Sequence, residues 1–169
     1  PSTALLMISR VAPGSAAAKM SDVVAGAAAT EVADLYEPLA EQSGVTLSAS
    51  GAPAVVLGDR ELLSRALANL IDNALKYGGT EIVVRTAAEA GGEVILEVAD
   101  NGSGIPEGDR DRAMERFTRL DNARTRPGAG LGLAMVAAVA RLHGGSFVLA
   151  SGGGGGEGGL VARLRLPRA

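Results

Sequence analysis

The chain has 169 residues, which is enough for one domain with a buried core. Hydrophobic residues make up 47% and charged residues 21%, a balance typical of a globular domain and not of a disordered chain. The net charge of −3 disfavours nucleic acid as a partner, and the absence of cysteine excludes disulfides and thiolate chemistry. No apolar run approaches the roughly 18–20 residues that span a bilayer, so we expect no membrane contact by this chain.

The first 20 residues have the pattern of the C-terminal end of an upstream element. A short apolar patch, residues 5–8, is followed by Pro13 and Gly14, which interrupt it. We therefore expect residues 1–20 to belong to an upstream element and its linker, and the domain to occupy residues 21–169.

Residues 21–44 predict the first helix, because their apolar side chains recur at spacings of three and four. Ser21 or Asp22 is the expected N-cap, and Gly44 is the expected end. Pro38 inside this pattern predicts a kink, or the start of a second helical piece.

The rest of the chain alternates between helical and strand patterns, with glycines at the turns. A long stretch rich in Gly, Pro and Arg, residues 101–130, predicts one short helix near 109–116 and has the length of a functional loop. The other predicted elements are strands at 45–50 and 54–57, a helix capped by Asp59 and ending near Tyr77, strands at 80–88 and 93–99, a helix over 131–142, and strands at 146–150 and 160–166. Neighbouring strands joined by hairpins predict an α/β (α+β) fold, a two-layer sandwich of a mixed β-sheet packed on helices.

The helix at 59–77 carries a polar stripe beside its apolar face. Asn69, Asn73 and Lys76 stand four and three residues apart, so they line one edge of the helix. Carboxamide oxygens suit Mg²⁺, and a lysine can meet phosphate as a point charge. The alternative from the residues alone is an ordinary solvated helix face.

A second candidate site follows the apolar strand at 93–99. Asp100 ends this strand, and Gly102 and Gly104 would let a ligand approach the backbone closely. A carboxylate in this position can accept a hydrogen bond from an amino group such as that of adenine. Ordinary turn chemistry is the alternative.

A third candidate site is the glycine-rich segment 128–133, which opens the predicted helix at 131–142. Backbone amides at a helix N-terminus form an anion site. The segment lacks the lysine and serine or threonine of a P-loop, and no strand leads into it as a dinucleotide fingerprint requires. A flexible hinge before the helix is the alternative.

Taken in order, these segments resemble the GHKL superfamily, and within it the sensor histidine kinases, over residues 21–169. The resemblance rests on several motifs, each weak alone. They are Asn69-x-x-x-Asn73-x-x-Lys76-Tyr77 for the N box, Asp100-x-Gly102-x-Gly104 for the first glycine box, Arg116-Phe117-Thr118-Arg119 for the F box, Gly128-x-Gly130-Leu131-Gly132-Leu133 for the second glycine box, and Leu142-His143-Gly144-Gly145 at the end of the following helix.

The resemblance implies a Bergerat-type ATP-binding domain with ATP and Mg²⁺ as cofactors. Asn73, Lys76 and Arg119 would be its catalytic residues, with Asn73 on Mg²⁺, Asn69 beside it, and Arg119 meeting the γ-phosphate. Residues 105–130 would form a mobile ATP lid. The implied ATP-binding residues also include Asp100 on the adenine amino group, Lys76 and Tyr77 on phosphate or ribose, Gly102, Gly104, Ile105 and Phe117, and Gly128, Gly130, Leu131, Gly132 and Leu133 around phosphate.

Two positions depart from the family pattern. Gly159 is followed by Leu160, where the family usually has Thr or Ser, which puts a water-mediated adenine contact in doubt. Ala129 stands where the family often has Thr, which is a minor change.

Asn69 separates the kinases from their ATPase relatives, which have a Glu as general base at this position. Asn cannot take a proton at neutral pH, so the resemblance implies phosphoryl transfer and not hydrolysis. The acceptor histidine would lie on an upstream dimerisation hairpin, and a response regulator would receive the phosphoryl group. This implies a cytoplasmic domain, whose parent protein can be anchored in the inner membrane.

His143, the single histidine of the chain, is interpreted as a helix-end residue and not as a phosphorylation site. We therefore predict no autophosphorylation of this chain alone. Two other functions stay open: a degenerate nucleotide-binding or protein-binding pseudokinase, and a serine kinase of the anti-sigma-factor type.

Overall fold

The computed structural model of the chain describes residues 19–77, 79–103, 108, 129–152 and 159–169. The strands within these residues are β1 (Ser21–Val24), β2 (Thr46–Gly51), β3 (Val55–Gly58), β4 (Glu81–Ala88), β5 (Glu93–Asp100), β6 (Ser146–Ser151) and β7 (Leu160–Pro167). Five of them form the main sheet in the order β2-β4-β5-β7-β6, in which β2 runs parallel to β4 and the other neighbours are antiparallel. A separate antiparallel ribbon joins β1 to β3.

Three helices lie on one face of the main sheet. They are α1 (Ala25–Gln42), α2 (Arg60–Tyr77) and α3 (Ala129–Leu142). Helix α2 lies between the other two and contacts both. The prediction of a mixed sheet packed on helices is confirmed.

The core forms where alternate strand residues meet the helices. Ile82 and Val84 of β4, and Leu96 and Val98 of β5, are buried on the helix side. The opposite side of β5 carries Glu97, which accepts a 2.7 Å hydrogen bond from the guanidinium of Arg163. This alternation of apolar and charged residues decides which side of each strand faces the helices.

Helix α2 begins as its sequence predicts. Asp59 precedes the first turn, and its Oδ1 accepts a 3.1 Å hydrogen bond from the backbone N–H of Leu62. This side-chain cap satisfies one of the backbone donors that a helix start leaves free. Leu63, Leu67 and Ile71 form the buried stripe that attaches the helix to the core.

The predicted start of the first helix is wrong. Residues 21–24 form β1, which pairs Val24 with Val55 of β3, and α1 begins at Ala25. Neither Ser21 nor Asp22 caps this helix, and no side-chain cap precedes Ala25. The pairing with β3 and the burial of Val23 outweigh the helical spacing of the sequence.

Pro38 does not start a second helical piece, because α1 continues through it as one helix. Proline lacks the N–H that would bond to the carbonyl of Asp34 one turn earlier. Both residues are exposed, so water can reach this carbonyl and the break costs little.

The other predicted boundaries agree with the structure to within two residues. Helix α3 begins at Ala129, two residues before its predicted start, so Gly130 as well as Gly132 lies in its first turns. The helix predicted near 109–116 lies outside the described residues. Among the described helices, none is both long enough and apolar enough to cross a membrane.

Candidate nucleotide site

The C-terminal half of α2 lies between the two glycine-containing segments. On one side, a Cβ atom at Gly132 of α3 would lie 3.2 Å from Oδ1 of Asn69. At the end of α2, a Cβ atom at Gly79 would lie 3.0 Å from the Cα of Gly102. The second glycine box therefore lies beside the N box, and the first lies beside the turn that follows α2, although 30 residues separate Gly102 from Gly132 in the sequence.

The carboxamide of Asn69 is held in one orientation. Its Nδ2 donates a 3.0 Å hydrogen bond to the backbone carbonyl of Arg65. This bond directs Oδ1 toward the first turns of α3, where Gly132 leaves room for it. Asn73, one turn later on α2, is partly exposed.

Lys76 lies one turn beyond Asp72 on α2, and its ammonium is 2.9 Å from Oδ2 of that carboxylate. The two side chains are 41% and 37% exposed, so the ion pair is weak and leaves Lys76 accessible to a ligand.

Tyr36 of α1 lies at the same edge of the site. Burial raises the pKa of its phenol, the nearby Asp72 carboxylate raises it further, and Lys76 opposes the shift. Tyr36 is therefore a neighbour of the charged end of α2. Tyr36 is one of the residues in 21–44 that recur at helical spacing, and this spacing gave no signal for a position at the site.

Asp100 is the buried acid of the site. It is 6% exposed, and its Oδ1 accepts a 2.9 Å hydrogen bond from the backbone N–H of Gly102. Burial raises the pKa of this carboxyl, while hydrogen bonds from the backbone of Gly102 and Leu160 oppose the shift. The carboxylate lies on the helix side of the sheet, beneath the same face as the core.

Asn101 fixes the turn that follows Asp100. Its Oδ1 accepts hydrogen bonds from the backbone N–H groups of Thr80 and Glu81, both at 2.9 Å, and its Nδ2 donates to Oγ1 of Thr80 at 3.1 Å. Gly79 has a positive φ of 81°, and a Cβ there would lie 2.7 Å from Asn101 Oδ1. The sequence pattern left Asn101 unassigned, because its partners come from the turn before β4.

Leu160 lies opposite Asp100 in the β5–β7 register. Its side chain is apolar and partly buried against the core. It therefore offers no hydroxyl at the position where the family resemblance leads us to expect one. The segment is fixed by a 2.6 Å hydrogen bond from the backbone N–H of Gly159 to the carbonyl of Gly102.

His143 lies at the end of α3 and is 7% exposed. Its Nδ1 is 2.7 Å from the backbone carbonyl of Val139, and its Nε2 accepts a 3.0 Å hydrogen bond from the backbone N–H of Asp59. Both ring nitrogens are therefore occupied inside the fold, which agrees with a helix-end role and not with a phosphate acceptor.

Several candidate residues cannot be placed at the site. Gly104, Ile105, Phe117, Arg119 and Gly128 lie outside the described residues, as does most of the predicted lid at 105–130. For Tyr77, Gly130 and Leu131 the helical backbone alone is described. Leu133 is buried, so its side chain belongs to the core and its backbone alone remains for a phosphate contact.

Comparison with known proteins gives the family. The sequence profile of the "Histidine kinase-, DNA gyrase B-, and HSP90-like ATPase" family matches residues 58–169. A curated relative, the sensor-like histidine kinase SenX3 of Mycolicibacterium smegmatis, is 35% identical over 158 residues, which are 90% of this chain and 41% of that protein.

Solved structures agree with this match. The ATP-binding domain of PrrB from Mycobacterium tuberculosis has a TM-score of 0.72 and 30% identity, and the likeness covers 89% of this chain and 98% of that domain. Full-length ShkA in complex with AMPPNP has a TM-score of 0.81 and 28% identity, covering 98% of this chain and 35% of that one.

The chain belongs to the histidine kinase-, DNA gyrase B- and HSP90-like ATPase family. Within that family it is an ATP-binding catalytic domain of the sensor histidine kinase type. It spans 41% of the length of SenX3 and 25% of the length of the sensor-type kinase PrrB.

Proposed function

We propose that the chain binds Mg-ATP beside the C-terminal half of α2 and presents the γ-phosphoryl group to a histidine on a separate acceptor hairpin. The hairpin would be an upstream part of the same protein, and a response regulator would receive the phosphoryl group in the cytoplasm. One arrangement carries the proposal. The buried carboxylate of Asp100 lies beside Gly102, near the turn that follows α2, and Asn69 in the middle of α2 lies beside Gly132.

Asp100 is suited to the adenine end of the nucleotide. A buried carboxylate is a strong acceptor for the adenine amino group, and it has few competing water molecules. Guanine presents a carbonyl oxygen at that position and would face the carboxylate without a proton between them. The pocket should therefore prefer ATP over GTP.

Asn73 and Lys76 are suited to the phosphate end. Mg²⁺ usually takes only one or two protein ligands and completes its shell with water and substrate phosphates. The described residues contain no group of three or more His, Cys, Asp or Glu side chains that could hold a metal ion. A single carboxamide ligand from Asn73, with Asn69 beside it, is compatible with a Mg²⁺ ion carried by the phosphates.

The residues present favour transfer over hydrolysis. Asn69 stands where a general base would be needed, and its carboxamide already contacts the backbone of Arg65 and the start of α3. Phosphoryl transfer needs in-line positioning and charge neutralisation, which Lys76 and the amides at the start of α3 can supply. We propose Arg119 as the residue that meets the γ-phosphate.

The test is calorimetric titration with ADP and AMPPNP, with and without Mg²⁺, followed by transfer from ATP to a supplied acceptor hairpin. We expect binding that Mg²⁺ strengthens, a preference for ATP over GTP, and label on the hairpin alone. Asp100→Asn should lose the preference for ATP. A folded chain that binds no nucleotide would contradict the proposal.

A further inference from the structure

His143 joins two helices that the proposed nucleotide site uses. It follows the last residue of α3, and its Nε2 accepts a hydrogen bond from the backbone N–H of Asp59 just before α2. The two residues are 84 positions apart in the sequence, so this bond closes a long-range contact inside the core.

The two bonds fix the state of the imidazole. Nε2 must be unprotonated, because it accepts from a backbone N–H. Nδ1 must carry the proton, because its partner is the carbonyl oxygen of Val139. A charged imidazole has two donors and no acceptor, so it would turn an N–H toward the N–H of Asp59.

The imidazole ring of His143 also lies where a side chain at position 58 would be. A Cβ atom at Gly58 would lie 2.8 Å from Cδ2 and 2.9 Å from Nε2 of His143. It would also lie 2.9 Å from Cδ1 of Leu63, so a side chain at position 58 would displace both the ring and this core residue.

Helices α2 and α3 pack against each other along their length, and two of their contacts lie far apart. Near the nucleotide site Asn69 meets Gly132, and at the far end Asp59 meets His143. The points are ten residues apart on α2 and eleven along the chain from Gly132 to His143, which corresponds to about 15 Å of helix. Contacts at that distance constrain the orientation of α3 against α2, in addition to the apolar packing between the two helices.

We propose that His143 is a positioning residue that clamps the end of α3 to the start of α2 as a neutral imidazole with the proton on Nδ1. The clamp helps to set the angle at which the first turns of α3 meet Asn69. Its effect on phosphate binding rests on the function proposed above, whereas the clamp itself does not.

The first experiment is ¹⁵N NMR of the imidazole at neutral pH, which is unambiguous because the chain has a single histidine. We expect the neutral form protonated on Nδ1, and slow hydrogen exchange at the amide of Asp59. A ring protonated on Nε2, or a charged ring, would overturn the clamp.

The second experiment compares three variants that separate the two bonds. Gln reaches the position of Nε2 and can still accept from Asp59, whereas Asn reaches only Nδ1. We expect His143→Gln to retain slow exchange at Asp59 and AMPPNP affinity within about threefold, and His143→Asn to lose both. Gly58→Ala should resemble His143→Asn, because the added methyl group meets the ring. Since it also meets Leu63, a lower AMPPNP affinity in this variant supports the clamp only if adenosine affinity is retained.

The nucleotide readout separates positioning from stability. In His143→Asn we expect AMPPNP affinity to fall by about tenfold, because the amides at the start of α3 would no longer be aligned with the phosphates. Adenosine affinity, which depends on Asp100, should change by less than about twofold. A melting temperature lowered by roughly 3–9 °C with an equal loss for both ligands would reduce His143 to a structural residue and overturn the positioning role.

A wild-type chain that binds no nucleotide would overturn the proposed function and the coupling together. The NMR and hydrogen-exchange results would then still decide whether the clamp exists. The two proposals can therefore fail separately.

Discussion

Oδ1 of Asn69 and the α-carbon of Gly132 face each other so closely that a methyl group on Gly132 would lie 3.2 Å from this oxygen. The contact places the start of α3 against the N box, and the bond from Nδ2 to the carbonyl of Arg65 prevents the carboxamide from turning away freely. Small changes at position 132 should therefore alter the affinity of the proposed site for the nucleotide phosphates.

Gly132→Ala tests this contact. Alanine in a helix usually gains roughly 0.5–1 kcal/mol over glycine, so stability should stay level or rise slightly. Asn69 must shift by a few tenths of an ångström, and we expect affinity for Mg-AMPPNP to fall by roughly three- to tenfold. Calorimetry measures the affinity, and Gly91→Ala, where a Cβ meets nothing within 4 Å, is the matched control. Unchanged affinity in Gly132→Ala would mean that the contact has no role in binding.

Lys76→Met should separate binding from stability. The Lys76–Asp72 pair is exposed, so its loss should change the free energy of unfolding by less than about 1 kcal/mol. Affinity for AMPPNP should fall by at least about tenfold, because a charge-assisted bond to phosphate is lost. Arg65→Met breaks the similar Arg65–Glu61 pair on the same helix and should leave affinity unchanged. Equal losses in both variants would point to a general charge effect.

Asn73→Ala should remove the effect of Mg²⁺ on nucleotide affinity, because the proposed metal ligand is gone. We expect affinity for ADP without Mg²⁺ to change by less than about threefold, and the strengthening by Mg²⁺ to disappear. Titrations with and without Mg²⁺ measure both quantities. Ser64→Ala, on the same helix but outside the site, should retain the Mg²⁺ effect, and its retention in Asn73→Ala would exclude Asn73 as the ligand.

Asp100 should make the wild-type fold less stable as pH rises. Burial raises its pKa in the folded state above the ordinary 3.8, so the folded state binds the proton more tightly than the unfolded state. This contribution is fully present below 3.8 and is lost as pH rises through the raised pKa. Asp100→Asn lacks this dependence, so its stability relative to wild type should increase over that window. Urea unfolding from about pH 3 to pH 7 measures the difference, and parallel curves would contradict the buried charge.

Local sequence signals accounted for much of the fold. The alternation in β4 and β5, the cap at Asp59 and the glycines after α1 and α3 act over a few residues, so they can be read from neighbours in the sequence. The start of α1 could not be predicted from sequence neighbours, because Val24 pairs with Val55, which is 31 residues away. Pro38 was over-weighted because its exposure, which decides the cost of the missing hydrogen bond, is a property of the folded chain.

The residues of the candidate site also fall into those that could be predicted from the sequence and those that could not. Asn69 and Asp100 stood out because their types and spacing have a direct chemical meaning. The partners of Asn101 and His143 could not be predicted, because they are Thr80, Glu81 and Asp59, at sequence distances between 20 and 84 residues. No spacing rule connects such partners.

The hydrogen bonds around Asn101 also bear on the chemical ageing of the protein. Asparagine is thermolabile, and an Asn-Gly pair is open to attack by the glycine nitrogen on the side-chain carbonyl. Here the N–H of Gly102 is bonded to Asp100, and the carboxamide of Asn101 is held by Thr80 and Glu81. The bonds that shape the adenine end therefore also engage both reacting groups, so the folded chain should deamidate at this pair more slowly than its unfolded form.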